Sequence, residues 1–181
     1  MLVKKYWHTL CRGEYHIYTV GGYDNSSRLG DCERYSIFKD VWHQLPKLNI
    51  PRNRCAVFTF KKSLYALGGY NGQSLNTMEQ LDIENMSLWI IVEVKNPIKE
   101  ACELHAIQIS KRNVLVFGGS HGAECYLLSM EAIVCKKLHS LNGNFCSTAA
   151  PVFDQKNVYA VTEEHKLCIY DVKEDTWKQV S

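Results

Sequence analysis

The sequence predicts an all-β chain of about four four-stranded antiparallel units, and two observations carry that prediction. Gly21-Gly22, Gly68-Gly69 and Gly118-Gly119 each close a short, mostly apolar run, and their first glycines lie 47 and 50 residues apart. A unit repeated at roughly 50 residues, with a strand ending in Gly-Gly, has the period of a propeller blade rather than of a helical repeat. Trp42, Trp89 and Trp177 then recur seven or eight residues after a later strand-like stretch.

Each unit reads as strands A to D. Tyr6 to Cys11, Ala56 to Phe60, Ala106 to Ile109 and Ala149 to Phe153 are the A strands, with Trp7 placed in the first and the last strand of a further blade as its alternative. The B strands are Ile17 to Val20, Leu64 to Leu67, Val114 to Phe117 and Val158 to Val161, apolar runs expected of strands covered on both faces. After a polar loop come the C strands, Cys32 to Tyr35, Met78 to Leu81, Cys125 to Leu128 and Leu167 to Tyr170. The tryptophans open the fourth strands, and the third unit has none there. That gives sixteen short strands and no helix. A four-stranded unit cannot bury its apolar face alone, so neighbouring units stack on it. Gly-Gly at a fixed place implies a bend, positive φ or close backbone approach.

The stretch from Pro51-Arg52-Asn53-Arg54 to Leu81-Asp82 resembles a full repeat of the kelch family. The resemblance covers nearly the whole chain and is strongest in the first two repeats. Repeat three lacks its tryptophan, and in repeat four Thr162-Glu163 stands where Gly-Gly is expected. What it implies is a kelch-type β-propeller, usually of six blades and often the substrate-recognition end of a ubiquitin-ligase adaptor. Residues 1–181 are read as a single propeller segment, with repeats at about 3–46, 53–95, 101–138 and 147–180. Four blades fall short of six, so the expectation is part of a larger ring or of an oligomeric one.

Composition narrows the function. Apolar residues make up 46% and charged ones 22%, ordinary for a chain with a sizeable core. A formal charge of +2 with no basic stripe gives no reason to expect nucleic acid. Arg12, Lys61, Lys62, Lys111, Arg112 and Lys156 fall in A–B turns, where solvated lysines are common; an acidic partner is the sharper alternative. No apolar run of signal-peptide or membrane-span length occurs. Eight cysteines without a C-x-x-C read as small apolar residues in a reducing, cytoplasmic setting.

Nominal catalytic patterns have structural explanations. Gly118-Gly119-Ser120-His121-Gly122 matches G-x-S-x-G, but that motif needs a strand-to-helix turn, and here a loop leads to another strand. His8/Cys11 and His165/Cys168 have H-x-x-C spacing, yet residues three apart on a strand point to opposite faces. Glu163-Glu164 reads as a shortened loop rather than a general acid. No catalytic residue, metal or cofactor is assigned.

Binding is expected on the loops between strands B and C and between one blade's D and the next blade's A, which share one face of a propeller. The candidates are Tyr23, Asp24, Arg28, Tyr70, Asn71, Gln73, Ser120 and His121 on B–C loops, with Arg52 and Arg54 before strand A. The resemblance implies that an arginine in Pro-Arg-Asn-Arg can pair with a partner carboxylate, a role that suits its planar fork. The alternative for Arg52 is to tie loop carbonyls within its own blade. The tyrosines offer amphipathic contact area. The chain is thus read as a non-enzymatic protein- or peptide-binding module, with ubiquitin-ligase or cytoskeletal components as partners and neither nucleic acid nor membrane. A kelch-fold enzyme, copper oxidase-like or sugar-modifying, is the alternative.

Overall fold

The computed structural model of the chain describes residues 1–99, 101–119, 124–141, 145 and 149–180. Among them, sixteen strands form four four-stranded antiparallel sheets, with no helix. Blade one contains β1 (Thr9–Arg12), β2 (His16–Val20), β3 (Cys32–Ser36) and β4 (Val41–Leu45). Blade two contains β5 (Ala56–Phe60), β6 (Ser63–Leu67), β7 (Met78–Asp82) and β8 (Trp89–Val92). Blade three contains β9 (Leu104–Gln108), β10 (Asn113–Gly118), β11 (Glu124–Ser129) and β12 (Val134–Lys137). Blade four contains β13 (Val152–Phe153), β14 (Asn157–Val161), β15 (Leu167–Asp171) and β16 (Thr176–Val180). Strands pair in sequence order within every sheet, so each sheet is a meander.

The chain forms two compact units, residues 1–93 with 99–102, and residues 94–98 with 103–181. The core of the first lies between its two blades, where Tyr18, Val20 and Cys32 meet Leu64, Leu81 and Trp89. Trp89 is almost fully buried and its indole N–H donates to the Pro46 carbonyl at 2.9 Å, so the ring both fills the interblade space and fixes the linker leaving blade one. The second unit repeats the plan, with Leu115, Phe117 and Cys125 of blade three against Val158, Ala160 and Tyr170 of blade four.

The glycine pairs sit where backbone meets backbone. The Gly22 N–H donates to the Arg52 carbonyl at 2.9 Å and the Gly69 N–H to the Ala101 carbonyl at 2.5 Å. A Cβ on Gly21 would fall 2.1 Å from the Arg52 oxygen, and one on Gly68 would fall 1.9 Å from the Ala101 oxygen, at φ of +63° and +65°. Only glycine meets both demands.

One sequence expectation needs correction. Trp7 is not in strand A: β1 starts at Thr9, and Trp7 has φ of 53°, which extended backbone excludes. Instead Tyr6 pairs with Tyr23 across the loop, and Trp7 stands 51% exposed. Blade three also forms its fourth strand without a tryptophan; the Lys95 N–H donates to Ile133 O at 2.9 Å and its carbonyl accepts from Cys135 N–H at 3.0 Å beside β12. In blade four the missing Gly-Gly is replaced by a tight turn, with the Thr162 N–H donating to Lys166 O at 3.0 Å. No helix of the described residues is long and apolar enough to cross a membrane.

Candidate functional site

The site lies on the first unit, and two buried ion pairs hold its loops. Arg52 is fully buried before β5. Its Nε donates to Ile50 O (3.2 Å), Nη1 to Gly68 O (2.8 Å) and Thr77 O (3.1 Å), and Nη2 to Thr77 Oγ1 (3.1 Å) and Glu79 Oε1 (2.6 Å). A guanidinium has five N–H donors, and all five are engaged inside the unit. Arg52 is therefore corrected from a partner-binding candidate to its alternative role, tying loop carbonyls together.

Glu79 completes the clamp. Its carboxylate also accepts from Asn49 N–H (2.8 Å), Asn49 Nδ2 (2.9 Å) and Ile50 N–H (3.1 Å), so the linker entering blade two is gripped by one side chain. Blade one repeats the device at lower quality. Glu33 accepts from the Leu2 and Val3 N–H groups, both at 2.9 Å, while Lys5 lies 3.9 Å from Glu33 and donates to Asp31 O at 2.9 Å. Burial pushes the Lys5 pKa down, opposed by the Glu33 charge.

Two residues past each buried cation the backbone turns through positive φ, at Trp7 (53°) and Arg54 (53°), which swings these side chains to the outside of the clamp. The Arg54 guanidinium lies over the Trp7 indole, 4.4 Å from its centroid. Trp7 stacks on Tyr23 at 5.6 Å and 24°. Arg28 then sits between Tyr23 (5.7 Å) and Tyr70 (5.0 Å). Arg54, Trp7, Tyr23, Arg28 and Tyr70 thus form one run of cations and aromatic faces, each cation–ring contact favourable by roughly 0.5–1 kcal/mol at partly exposed sites. Arg28 Nε is buried without a hydrogen-bond partner among the described residues. The rings orient the two guanidinium groups.

The surrounding loops are internally braced. Asp24 Oδ1 accepts from the Ser26 N–H (3.0 Å), Ser26 Oγ (2.8 Å) and Ser27 N–H (2.8 Å). These bonds, the Ser27 N–H first, hold its carboxyl down to about 2. Asp24 therefore shapes the loop that carries Arg28. Tyr70 exchanges backbone hydrogen bonds with Asn53, at 2.9 and 3.2 Å, and Asn71 and Gln73 are exposed beyond it. Ser120 and His121 lie outside the described residues.

Sequence reasoning placed Tyr23, Arg28, Arg54 and Tyr70 in one region but missed Trp7. The signal was there: Trp7 and Arg54 each stand fourteen residues ahead of their repeat's first glycine, as Lys5 and Arg52 each stand sixteen ahead. On the A–B rim, Lys62 pairs with Glu84 at 2.7 Å and Arg112 with Glu131 at 3.2 Å, which offsets its positive charge. Among the described residues no group of three or more His, Cys, Asp or Glu side chains is placed to hold a metal ion.

Four meandering four-stranded sheets, three with Gly-Gly after the second strand and two with a buried acid on the third, define a β-propeller segment. The chain belongs to the kelch-repeat family: the KLHDC2/KLHL20/DRC7 Kelch-repeats domain matches residues 3–119. Human Kelch-like protein 4 is 41% identical over 63 residues, 34% of this chain and 9% of that protein. The Kelch repeat and BTB domain-containing protein 1 of cowpox virus (strain Brighton Red) is 34% identical over 95 residues, 48% of this chain and 17% of that protein. Zebrafish (Danio rerio) Kelch-like ECH-associated protein 1A is 40% identical over 57 residues, 29% of this chain and 10% of that protein. The chain matches less than a fifth of the length of each of these relatives.

Proposed function

We propose that the chain is a protein-interaction module that captures an acidic segment of a partner protein on the loop face of its first unit. The observation that carries this reading is the run Arg54, Trp7, Tyr23, Arg28, Tyr70, in which two guanidinium groups are oriented by aromatic faces. A partner carboxylate would hydrogen-bond Arg28, whose Nε has no partner among the described residues, and an apolar partner side chain would lie on Trp7 and the tyrosines. Such aromatic and arginine surfaces dominate binding energy at protein interfaces.

The similarity to kelch-like proteins supports one biological setting, in which the module is the substrate-recognition part of a ubiquitin-ligase adaptor. Binding to cytoskeletal components is the alternative. We place the protein in the cytoplasm, in keeping with its free cysteines.

Selection of a random-peptide phage library on the purified chain tests the reading, with the Arg28→Glu/Arg54→Glu variant as counter-target. Enriched peptides are expected to carry clustered carboxylates and to bind the variant at least tenfold more weakly, as losing one charged hydrogen bond of about 1.5–3 kcal/mol requires. The variant should still melt cooperatively, at a lower temperature because it loses three cation–aromatic contacts. No enrichment, or equal binding to the variant, would overturn the proposal.

A further inference from the structure

The fourth strand of blade two departs from its three counterparts. These strands share a register in which Trp42, Trp89, Cys135 and Trp177 pair with Tyr35, Leu81, Leu128 and Tyr170 of the third strands. The next two positions are His43 and Gln44 in β4, Lys136 and Lys137 in β12, and Lys178 and Gln179 in β16, all exposed. Polar and charged residues there keep an open sheet edge from pairing with other chains. In β8 the same positions hold Ile90 and Ile91, 59% and 54% exposed, and Leu88 just before the strand is 58% exposed.

The β8 edge also offers backbone. In blade three the equivalent edge is taken, for the Cys135 N–H donates to the Lys95 carbonyl, so the backbone at Cys135 faces away from β11. Trp89 holds the same register position, and its carbonyl accepts from Asn49 Nδ2 at 2.8 Å. Two residues on, the alternation of an antiparallel ladder turns the Ile91 N–H and carbonyl to that outer edge. Among the described residues neither has a partner outside its own sheet. Both ends of the strand are acidic: Asp82 and Glu84 lie exposed before it and Glu93 after it, with Lys62, paired to Glu84, as the neighbouring cation.

We propose that the outer edge of β8 docks an extended segment of a partner protein, aliphatic at its centre and basic at its ends. The segment adds a strand to blade two, hydrogen-bonding the Ile91 backbone, with affinity from the main chain and specificity from alternate side chains. Leu88 and Ile90, two residues apart, share one face and meet its aliphatic residues; its basic ends meet Asp82 and Glu93. A second copy of this chain fits the edge worse. Antiparallel pairing of two β8 strands would set Glu93 of each against the acidic 82–84 turn of the other. Four residues give about 13 Å of edge, too short for the roughly 1,200–2,000 Å² that a stable dimer buries. The charge required of this segment is opposite to that proposed for the ligand of the Arg28 and Arg54 loops, so the two sites are tested separately.

The probe is the peptide acetyl-Lys-Val-Thr-Ile-Thr-Val-Lys-amide, titrated into the isotope-labelled chain and followed by amide NMR shifts. Saturable shifts are expected in β8 and at Glu93, unchanged in the Arg28→Glu/Arg54→Glu variant. Methylating the peptide's central amide nitrogens removes donors and keeps the side chains; it should weaken binding at least tenfold, as should glutamates in place of the two lysines. The Ile90→Gln/Ile91→Gln variant, altered only at exposed positions, should keep its circular dichroism melt and bind at least tenfold more weakly. Absence of saturable shifts in β8, or equal binding by the methylated peptide or by the glutamine variant, would overturn the proposal. So would a wild-type chain that light scattering shows to be dimeric and the glutamine variant to be monomeric, since the edge would then belong to a second copy.

Discussion

Replacing Glu79 by alanine is expected to cost about 3–5 kcal/mol, because it leaves the fully buried Arg52 guanidinium without its acid. The same change removes the acceptor of the Asn49 and Ile50 amides, which releases the linker that positions Arg54. A loss of this size is a third or more of the roughly 5–15 kcal/mol that stabilises a typical domain. Hydrogen exchange reads it locally. At about 1.4 kcal/mol per tenfold, the Asn49 and Ile50 amides should lose roughly a hundredfold or more of their protection. Urea unfolding of the Arg52→Met/Glu79→Leu double variant should show a smaller loss than the two single losses added together, by about 2 kcal/mol, since no buried charge is then stranded. A Glu79→Ala cost below about 1 kcal/mol, or strict additivity of the pair, would refute the claim that this ion pair is the clamp.

Gly68→Ala should destabilise the first unit by at least about 2 kcal/mol in urea, because the new Cβ meets the Ala101 oxygen and the residue must hold positive φ. The Asp24 carboxyl should titrate at about 2 in a carbon-detected NMR series. Since this lies below its ordinary 3.8, its support of the 24–27 loop is complete above roughly pH 4 and is lost as pH falls toward 2. Burial pushes the Cys32 and Cys125 thiols up to about 12 and Cys11 and Cys135 up to about 11. At pH 8 their alkylation should therefore be at least tenfold slower in the native chain than in urea, thiolate being the reactive form.

The blades were legible because their signals are local and repeated. Apolar runs of four or five residues, turn chemistry between them and a fixed Gly-Gly placed β5 at its observed limits. The positive-φ positions were harder. Trp7 reads as a strand residue by its neighbours, and only the backbone turn shared with Arg54 takes it out of β1. Arg52 and Arg54 look alike in the sequence, yet one is enclosed by Glu79 and Thr77 and the other lies over an indole. That separation comes from a carboxylate 25 residues further along the chain from Arg54, which no local pattern announces. The contact of Arg28 with both Tyr23 and Tyr70 likewise joins two blades and is invisible to either repeat alone.

The loop face as a binding surface is tested most directly by a hydrogen-exchange footprint of the chain with and without a selected acidic peptide. The account predicts new protection at residues 23–28, 53–54 and 70–74, and loss of that protection in the Arg28→Glu/Arg54→Glu variant. Protection confined to the A–B turns around Lys61 and Arg112, or a footprint untouched by the charge reversal, would contradict it.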